Sequence, residues 1–158
     1  MSAAPRGAAV RLPPPLIFLG GWIAAWLLHR RLPFDIDGRG AGPTQSILGV
    51  LLGVAGALVM GWAIRTLLMA RTTILPHGVV RDVVTSGPFR FSRNPIYAGM
   101  TAIYAGAALF LNMAWPLLAL PIVLAVVTSL VIVREERYLA AAFGDAYAAY
   151  CRRVRRWL

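Results

Sequence analysis

Two short polar stretches hold most of the groups in this chain that could do chemistry. One is Thr85-Ser86-Gly87-Pro88-Phe89-Arg90-Phe91-Ser92-Arg93-Asn94-Pro95-Ile96-Tyr97-Ala98-Gly99, and the other is Arg134-Glu135-Glu136-Arg137. Together they bring several guanidiniums and two adjacent carboxylates. Such a set suits a zwitterionic ligand, with Arg for a carboxylate and Glu for an ammonium. It equally suits a juxtamembrane salt-bridge network that stops each helix at the interface. Gly87-Pro88 predicts a tight turn, and Asn94-Pro95 predicts a helix start with proline in its first turn.

The elements that must position these stretches follow from the hydropathy pattern. Residues 95–133 form 39 consecutive uncharged positions. One helix of that length would span about 58 Å, nearly two hydrocarbon thicknesses. The run is therefore two helices, about Ile96 to Leu111 and Pro116 to Val133, broken at Asn112 and Trp115-Pro116, with Pro121 predicted to kink the second. The polar stretches lie at the same end of this antiparallel pair and should meet, although about 40 residues separate them. Charged groups at that depth are costly and tend to pair or to serve a site.

Upstream, Pro13-Pro14-Pro15 leads into a first helix at about Leu12 to Leu28, and residues 1–11 read as a disordered N-terminus. Arg6 and Arg11 before the apolar run resemble a signal peptide. No small-x-small cleavage site follows, so an uncleaved helix is expected. A loop from Arg30 to Pro43 precedes a second helix from about Thr44 to Ala70. Gly49, Gly53, Ala57 and Gly61 recur every four residues along it, and Ala98, Ala102 and Gly106 repeat the spacing in the third helix. Such ridges let helices approach closely; a cofactor cleft beside the ridge is the functional alternative. After Val133, the positions Leu139, Phe143, Tyr147 and Tyr150 predict an amphipathic helix along the membrane surface. The polybasic end, Arg152-Arg153-Val154-Arg155-Arg156, reads as an anchor to anionic lipid.

Composition supports this reading. Hydrophobic residues make up 59% of the chain and charged residues 14%, against about 25% charge in soluble domains. The net charge of +10 suits nucleic acid or an anionic membrane face; the hydrophobicity decides for the membrane and against nucleic acid. The fold class expected is all-α, polytopic, about four transmembrane helices plus a C-terminal interfacial helix, in a single domain over 12–158. Thirteen arginines fall on the side of the N-terminus, the 65–94 segment and the C-tail, and three (Arg30, Arg31, Arg39) on the other. The positive-inside rule places the arginine-rich side, with both termini, in the cytoplasm of an inner-membrane protein. The single cysteine, Cys151, and the distant His29 and His77 predict no metal site. No strand–Gly-x-Gly-x-x-Gly–helix pattern suggests a soluble dinucleotide fold.

At the polar stretches the sequence also resembles a family. Val84-Thr85-Ser86-Gly87-Pro88-Phe89-Arg90-x-Ser92-Arg93-Asn94-Pro95-x-Tyr97-x-Gly99 and Glu135-Glu136-x-x-Leu139-x-x-x-Phe143-Gly144-x-x-Tyr147-x-x-Tyr150 are similar to the isoprenylcysteine carboxyl methyltransferase and phospholipid methyltransferase superfamily, over about residues 45–157. Thr72-Thr73-x-x-Pro76 looks like its bacterial branch. The resemblance implies a membrane-embedded methyltransferase that uses S-adenosyl-L-methionine without a Rossmann fold. By position it assigns cofactor contacts to Arg81, Asp82, Val83, Val84, Phe89, Asn94, Pro95, Ile96 and Tyr97, with Glu135 and Glu136 over cofactor and substrate. Arg81, Phe89 and Asn94 stand where eukaryotic members carry His, Tyr and His, which weakens the case for a prenylcysteine substrate.

The roles expected are therefore Arg93 or Arg90 on a carboxylate, and Glu135 on an ammonium or as base for an amine acceptor. A carboxylate or thiolate acceptor needs no base. The acceptor expected is a lipophilic or small molecule reaching the site from the bilayer. The competing expectation is a non-catalytic membrane protein that keeps the same fold.

Overall fold

The computed structural model describes residues 12–38, 40–70 and 83–157. The N-terminal stretch 1–11, Arg81, Asp82 and the Thr72-Thr73-x-x-Pro76 stretch lie outside the described residues. Among the described residues the chain is helical, with one isolated bridge, Asp35 to Met113. Helix α1 is Pro14–Arg31, α2 is Pro43–Met69, α3 is Pro95–Phe110 and α4 is Ala114–Val127. A 3-10 turn at Gly87–Arg90 precedes α3. A π-helical turn at Thr128–Ile132 joins α4 to α5, Val133–Arg153.

Two helical runs are long and apolar enough to cross a membrane, Pro43–Met69 and Ala114–Arg153, rather than a clear four. The 16 residues of α3 are apolar but short, and α1 ends in His29, Arg30 and Arg31. In α2 only 17% of the apolar window is buried. Leu48, Leu51, Val54 and Leu58 point away from the protein. A helix apolar all round with so little protein around it is not the core helix of a soluble domain.

The buried core lies between α1, α3 and α4. Ile17, Phe18, Tyr97, Tyr104, Val123 and Val127 pack together there and continue into Val131, Ile132 and Tyr138. Helix α2 attaches differently, by backbone contact with α3. A Cβ on Gly56 would stand 2.6 Å from the Gly99 carbonyl, and one on Gly106 2.6 Å from the Gly49 carbonyl. The pairs Gly49–Gly106 and Gly56–Gly99 run in opposite directions, so the helices are antiparallel. The close face is thus Gly49, Gly56 and Ala63, spaced by seven. The four-residue ridge of the sequence reading is corrected here: added Cβ atoms at Gly53 and Gly61 meet nothing, although Gly53's backbone touches Gly106. Seven residues are nearly two full turns, so the heptad positions stay on one side while a strict four-residue series drifts off it.

The end of the bundle far from the polar stretches is tied by Asn112. It sits at φ 56°, in the left-handed region that asparagine tolerates. Its Oδ1 accepts from Asp37 N–H and Gln45 Nε2, each at 3.0 Å, and its Nδ2 donates to the Asp37 carbonyl at 2.8 Å. The Trp115 indole donates to the Leu32 carbonyl at 2.7 Å. These bonds place the end of α1, the start of α2 and the α3–α4 turn together, so the opposite end gathers the start of α3 and the start of α5. Helix α4 continues past Pro121, which lies inside it. A π turn follows at Thr128–Ile132, where the wider turn shifts the register of the helix that follows. Gly144, at φ 48° and ψ −120°, bends α5 further on.

Replacing Gly56 by Leu should therefore lower stability by about 1–3 kcal/mol through overpacking against α3, while Gly61→Ala should stay within about 0.5 kcal/mol of wild type. Thermal unfolding of both variants in detergent checks this, and equal effects would contradict the assigned face.

Candidate functional site

The start of α3 is set by Asn94 and Pro95, with proline in the first turn as expected. The Asn94 side chain does not cap that helix. Its Nδ2 donates to the Arg156 carbonyl at 2.9 Å, and its N–H donates to Ser92 Oγ at 3.1 Å. Just before it, Gly87 takes φ 58°, and a Cβ there would stand 2.7 Å from Thr66 Oγ1 on α2. Glycine is thus required twice over, by backbone conformation and by contact. Pro88 is buried, and the Phe89 carbonyl accepts from Tyr150 Oη at 2.8 Å. The turn is thereby pinned between α2 and α5.

The two polar stretches meet. Tyr97 Oη donates to Glu135 Oε1 at 2.9 Å, and Arg93 Nη1 lies 3.2 Å from Glu136 Oε1. Glu136 is also gripped by a second guanidinium, whose Nε donates to Oε1 at 3.0 Å and whose Nη2 donates to Oε2 at 2.7 Å. That guanidinium belongs to Arg156, in the tail read from sequence as a lipid anchor. Donating to the Glu136 carboxylate holds the Arg156 pKa above the ordinary value. Arg93 Nη1 additionally contacts Cys151 Sγ at 2.7 Å, while Arg93 Nε is buried without a hydrogen-bond partner.

Not every expected residue joins this cluster. Val83 packs with Tyr147, Tyr150 and Val154 in a second apolar cluster. Ile96 packs on the main core, and Val84 is half-buried nearby in the chain. Pro95 is buried at the start of α3. Arg90 is exposed. Arg156, Cys151 and Tyr150 belong to the cluster without having been singled out for it. Tyr150 carried a sequence signal, its helical spacing from Tyr147 and Phe143 and its place in the second motif, while the signal at Arg156 pointed to lipid.

The adjacent carboxylates have different surroundings. Glu136 has ionic partners at both oxygens. Glu135 has a tyrosine at one oxygen and lies two residues beyond the end of the uncharged run. Burial pushes its pKa up from 4.5 to about 7, helped by the Glu136 charge and opposed by the Tyr97 hydrogen bond. A carboxyl poised there can hold or release a proton near neutral pH. Because the folded pKa is raised, the stability that Glu135 contributes is complete below its ordinary value and is lost as pH rises through about 7. Glu135→Gln should therefore match wild type at about pH 4 and exceed it in melting temperature at about pH 8. Parallel unfolding curves across that range would show that Glu135 does not titrate in this way.

The phospholipid methyltransferase family profile matches residues 44–146, which contain both polar stretches, α3, α4 and all of α2 but its first residue. An uncharacterized protein of Haemophilus influenzae is 36% identical over 63 residues, covering 40% of this chain and the whole of that protein. No solved structure matches significantly. With two thirds of its length matched and the motif residues joined at one end of the bundle, the chain belongs to the phospholipid methyltransferase family, within the isoprenylcysteine carboxyl methyltransferase-like superfamily.

Proposed function

We propose that this protein is an integral membrane methyltransferase that uses S-adenosyl-L-methionine and acts on a lipophilic or small-molecule acceptor at the cytoplasmic face. The observation that carries this reading is the convergence of Arg93, Tyr97, Glu135 and Glu136 at one end of an apolar bundle, in a chain of a methyltransferase family. The bundle crosses the bilayer four times. At 1.5 Å per residue α1 reaches about 27 Å and α2 about 40 Å, and α3 and α4 with its π turn reach about 24 and 28 Å, close to a ~30 Å core. Thirteen of sixteen arginines then lie on the site's side, which the positive-inside rule assigns to the cytoplasm. Helix α5 lies at that interface, its tyrosines turned to the protein and its arginines to the headgroups.

The groups present fit the cofactor. Two guanidiniums share the Glu136 carboxylate, which leaves one positive charge over, and Arg93 keeps a buried donor unpaired. That is a place for a carboxylate. Glu135, with one oxygen committed to Tyr97, suits an ammonium or the proton of an amine acceptor. Val84, Phe89, Asn94, Pro95 and Ile96, with Arg81 and Asp82, are the remaining positions proposed to hold the adenosyl part. The cofactor, when bound, supplies a methyl group activated on sulfonium. The chain's own part is to fix two reactants and to exclude water. A site at the bilayer edge admits a soluble ligand from the cytoplasm and an apolar acceptor from the lipid.

In detergent, S-adenosylmethionine at a hundred times its dissociation constant should stabilise the protein by about 2.7 kcal/mol. Membranes incubated with methyl-labelled cofactor should pass label into a lipid or small-molecule fraction, and Glu135→Gln should lower that transfer. Stabilisation without transfer to any fraction would favour a non-catalytic binding protein. Absence of stabilisation at saturating cofactor would count against the whole reading.

A further inference from the structure

The polybasic tail does two things at once. Beyond α5 the backbone leaves the helix, with Val154 at φ −124° and ψ 131°, and bends at Val154 and again at Arg156. Val154 is buried in the second cluster, Arg155 is exposed, Arg156 turns in to Glu136, and Trp157 packs on the main core. Backbone bonds lay this strap across the segment that opens α3. The Arg93 N–H donates to the Arg155 carbonyl at 2.9 Å, and Ser92 Oγ and Asn94 Nδ2 donate to the Arg156 carbonyl at 3.4 and 2.9 Å. A lipid anchor would not need these bonds. Its arginines would face outward, as Arg152, Arg153 and Arg155 do.

The inward arginine changes what Glu136 can do. Arg156 takes both carboxylate oxygens in a fork, the geometry that fixes a carboxylate plane. Glu136 so fixed holds Arg93 by a single nitrogen and leaves its Nε buried and unpaired. The guanidinium is thereby oriented and still short of an acceptor. The triad carries one uncompensated positive charge, with the second carboxyl, Glu135, beside it. An anion next to a cation answers that pattern, and an α-amino acid presents both on one carbon.

We infer that the strap Val154–Trp157, through Arg156, is a positioning element that fixes Glu136 and Arg93, and that these groups receive the α-amino-acid end of the cofactor. This rests on the methyltransferase reading above. It adds that a residue outside both polar motifs, in the tail, sets affinity for one part of the ligand.

Two ligands separate the parts. S-adenosylhomocysteine carries the amino-acid end, and 5′-methylthioadenosine has the same adenosine and thioether without it. Their binding to the full chain in detergent is measured by calorimetry. Arg156→Ala should weaken S-adenosylhomocysteine by about tenfold or more, the loss of a charge-assisted bond, and leave 5′-methylthioadenosine within about twofold. Arg156→Lys keeps the charge but not the fork, and should recover part of the loss. Should Arg156→Ala fail to fold, Arg156→Lys alone decides, by a selective or an unselective change. Equal weakening of both ligands, or none, would overturn the strap's role and leave the methyltransferase reading standing. A wild-type protein that binds neither ligand would overturn both.

Discussion

One carboxylate, Glu136, is held by two guanidiniums that come from opposite directions along the chain. Arg93 precedes it by 43 residues and Arg156 follows it by 20. The three segments they belong to are the opening of α3, the first turn of α5 and the terminal strap. None of these would hold its place alone. The strap has no helical bond beyond that of the Val154 N–H to the Tyr150 carbonyl, and the segment before α3 is a single 3-10 turn. A carboxylate in a low-dielectric setting is costly when unpaired, and much of that cost is offset when it is doubly paired. The cost of leaving Glu136 bare therefore holds all three segments together. Tyr150, bonded to the Phe89 carbonyl, and Asn94, bonded to the Arg156 carbonyl, extend the same tie through neutral groups.

That polar node depends in turn on how closely the helices approach. Van der Waals packing holds helices together in lipid, and glycine permits the shortest approach. The Gly49–Gly106 and Gly56–Gly99 contacts set α2 directly against α3. At the end of α2, Thr66 then meets Gly87, and the turn before Arg93 is seated. On the other side of α3, large residues fill the space to α1 and α4, with Tyr104 edge-on to Trp22 at 5.0 Å. Helix α3 is thus clamped by backbone on one face and by aromatic rings on the other. Its first turn, which carries Asn94 and Tyr97, has little freedom to move.

The neighbouring glutamates show how position divides chemical labour. They are adjacent in sequence, so their side chains leave the helix in directions about 100° apart. One meets two arginines and becomes a structural anion. The other meets a tyrosine and the buried edge of the bundle, and its proton is retained to about neutral pH. The π turn just before them sets which glutamate faces which partner, since its extra residue rotates every position that follows.

Much of this was legible in the sequence. A charge-free run too long for one helix fixes a hairpin, and Asn112 marks its turn because asparagine tolerates the left-handed backbone found there. A hairpin brings its two flanking polar stretches together without further information, which is why Arg93, Tyr97, Glu135 and Glu136 could be grouped in advance. Local pattern could not choose the packed face of α2, because small residues recur there at both four and seven, and only the partner helix distinguishes them. Nor could it separate Arg156 from the arginines around it. Five residues of polybasic tail have one composition whether they face lipid or protein. The direction of each side chain depends on a non-helical backbone laid across a segment some 60 residues earlier, a contact with no local signature. The sequence by itself determined the class of helix, the turns and which ends of them meet; the tertiary structure alone decided which faces touch, because long-range contacts are selected by fit and charge rather than by periodicity.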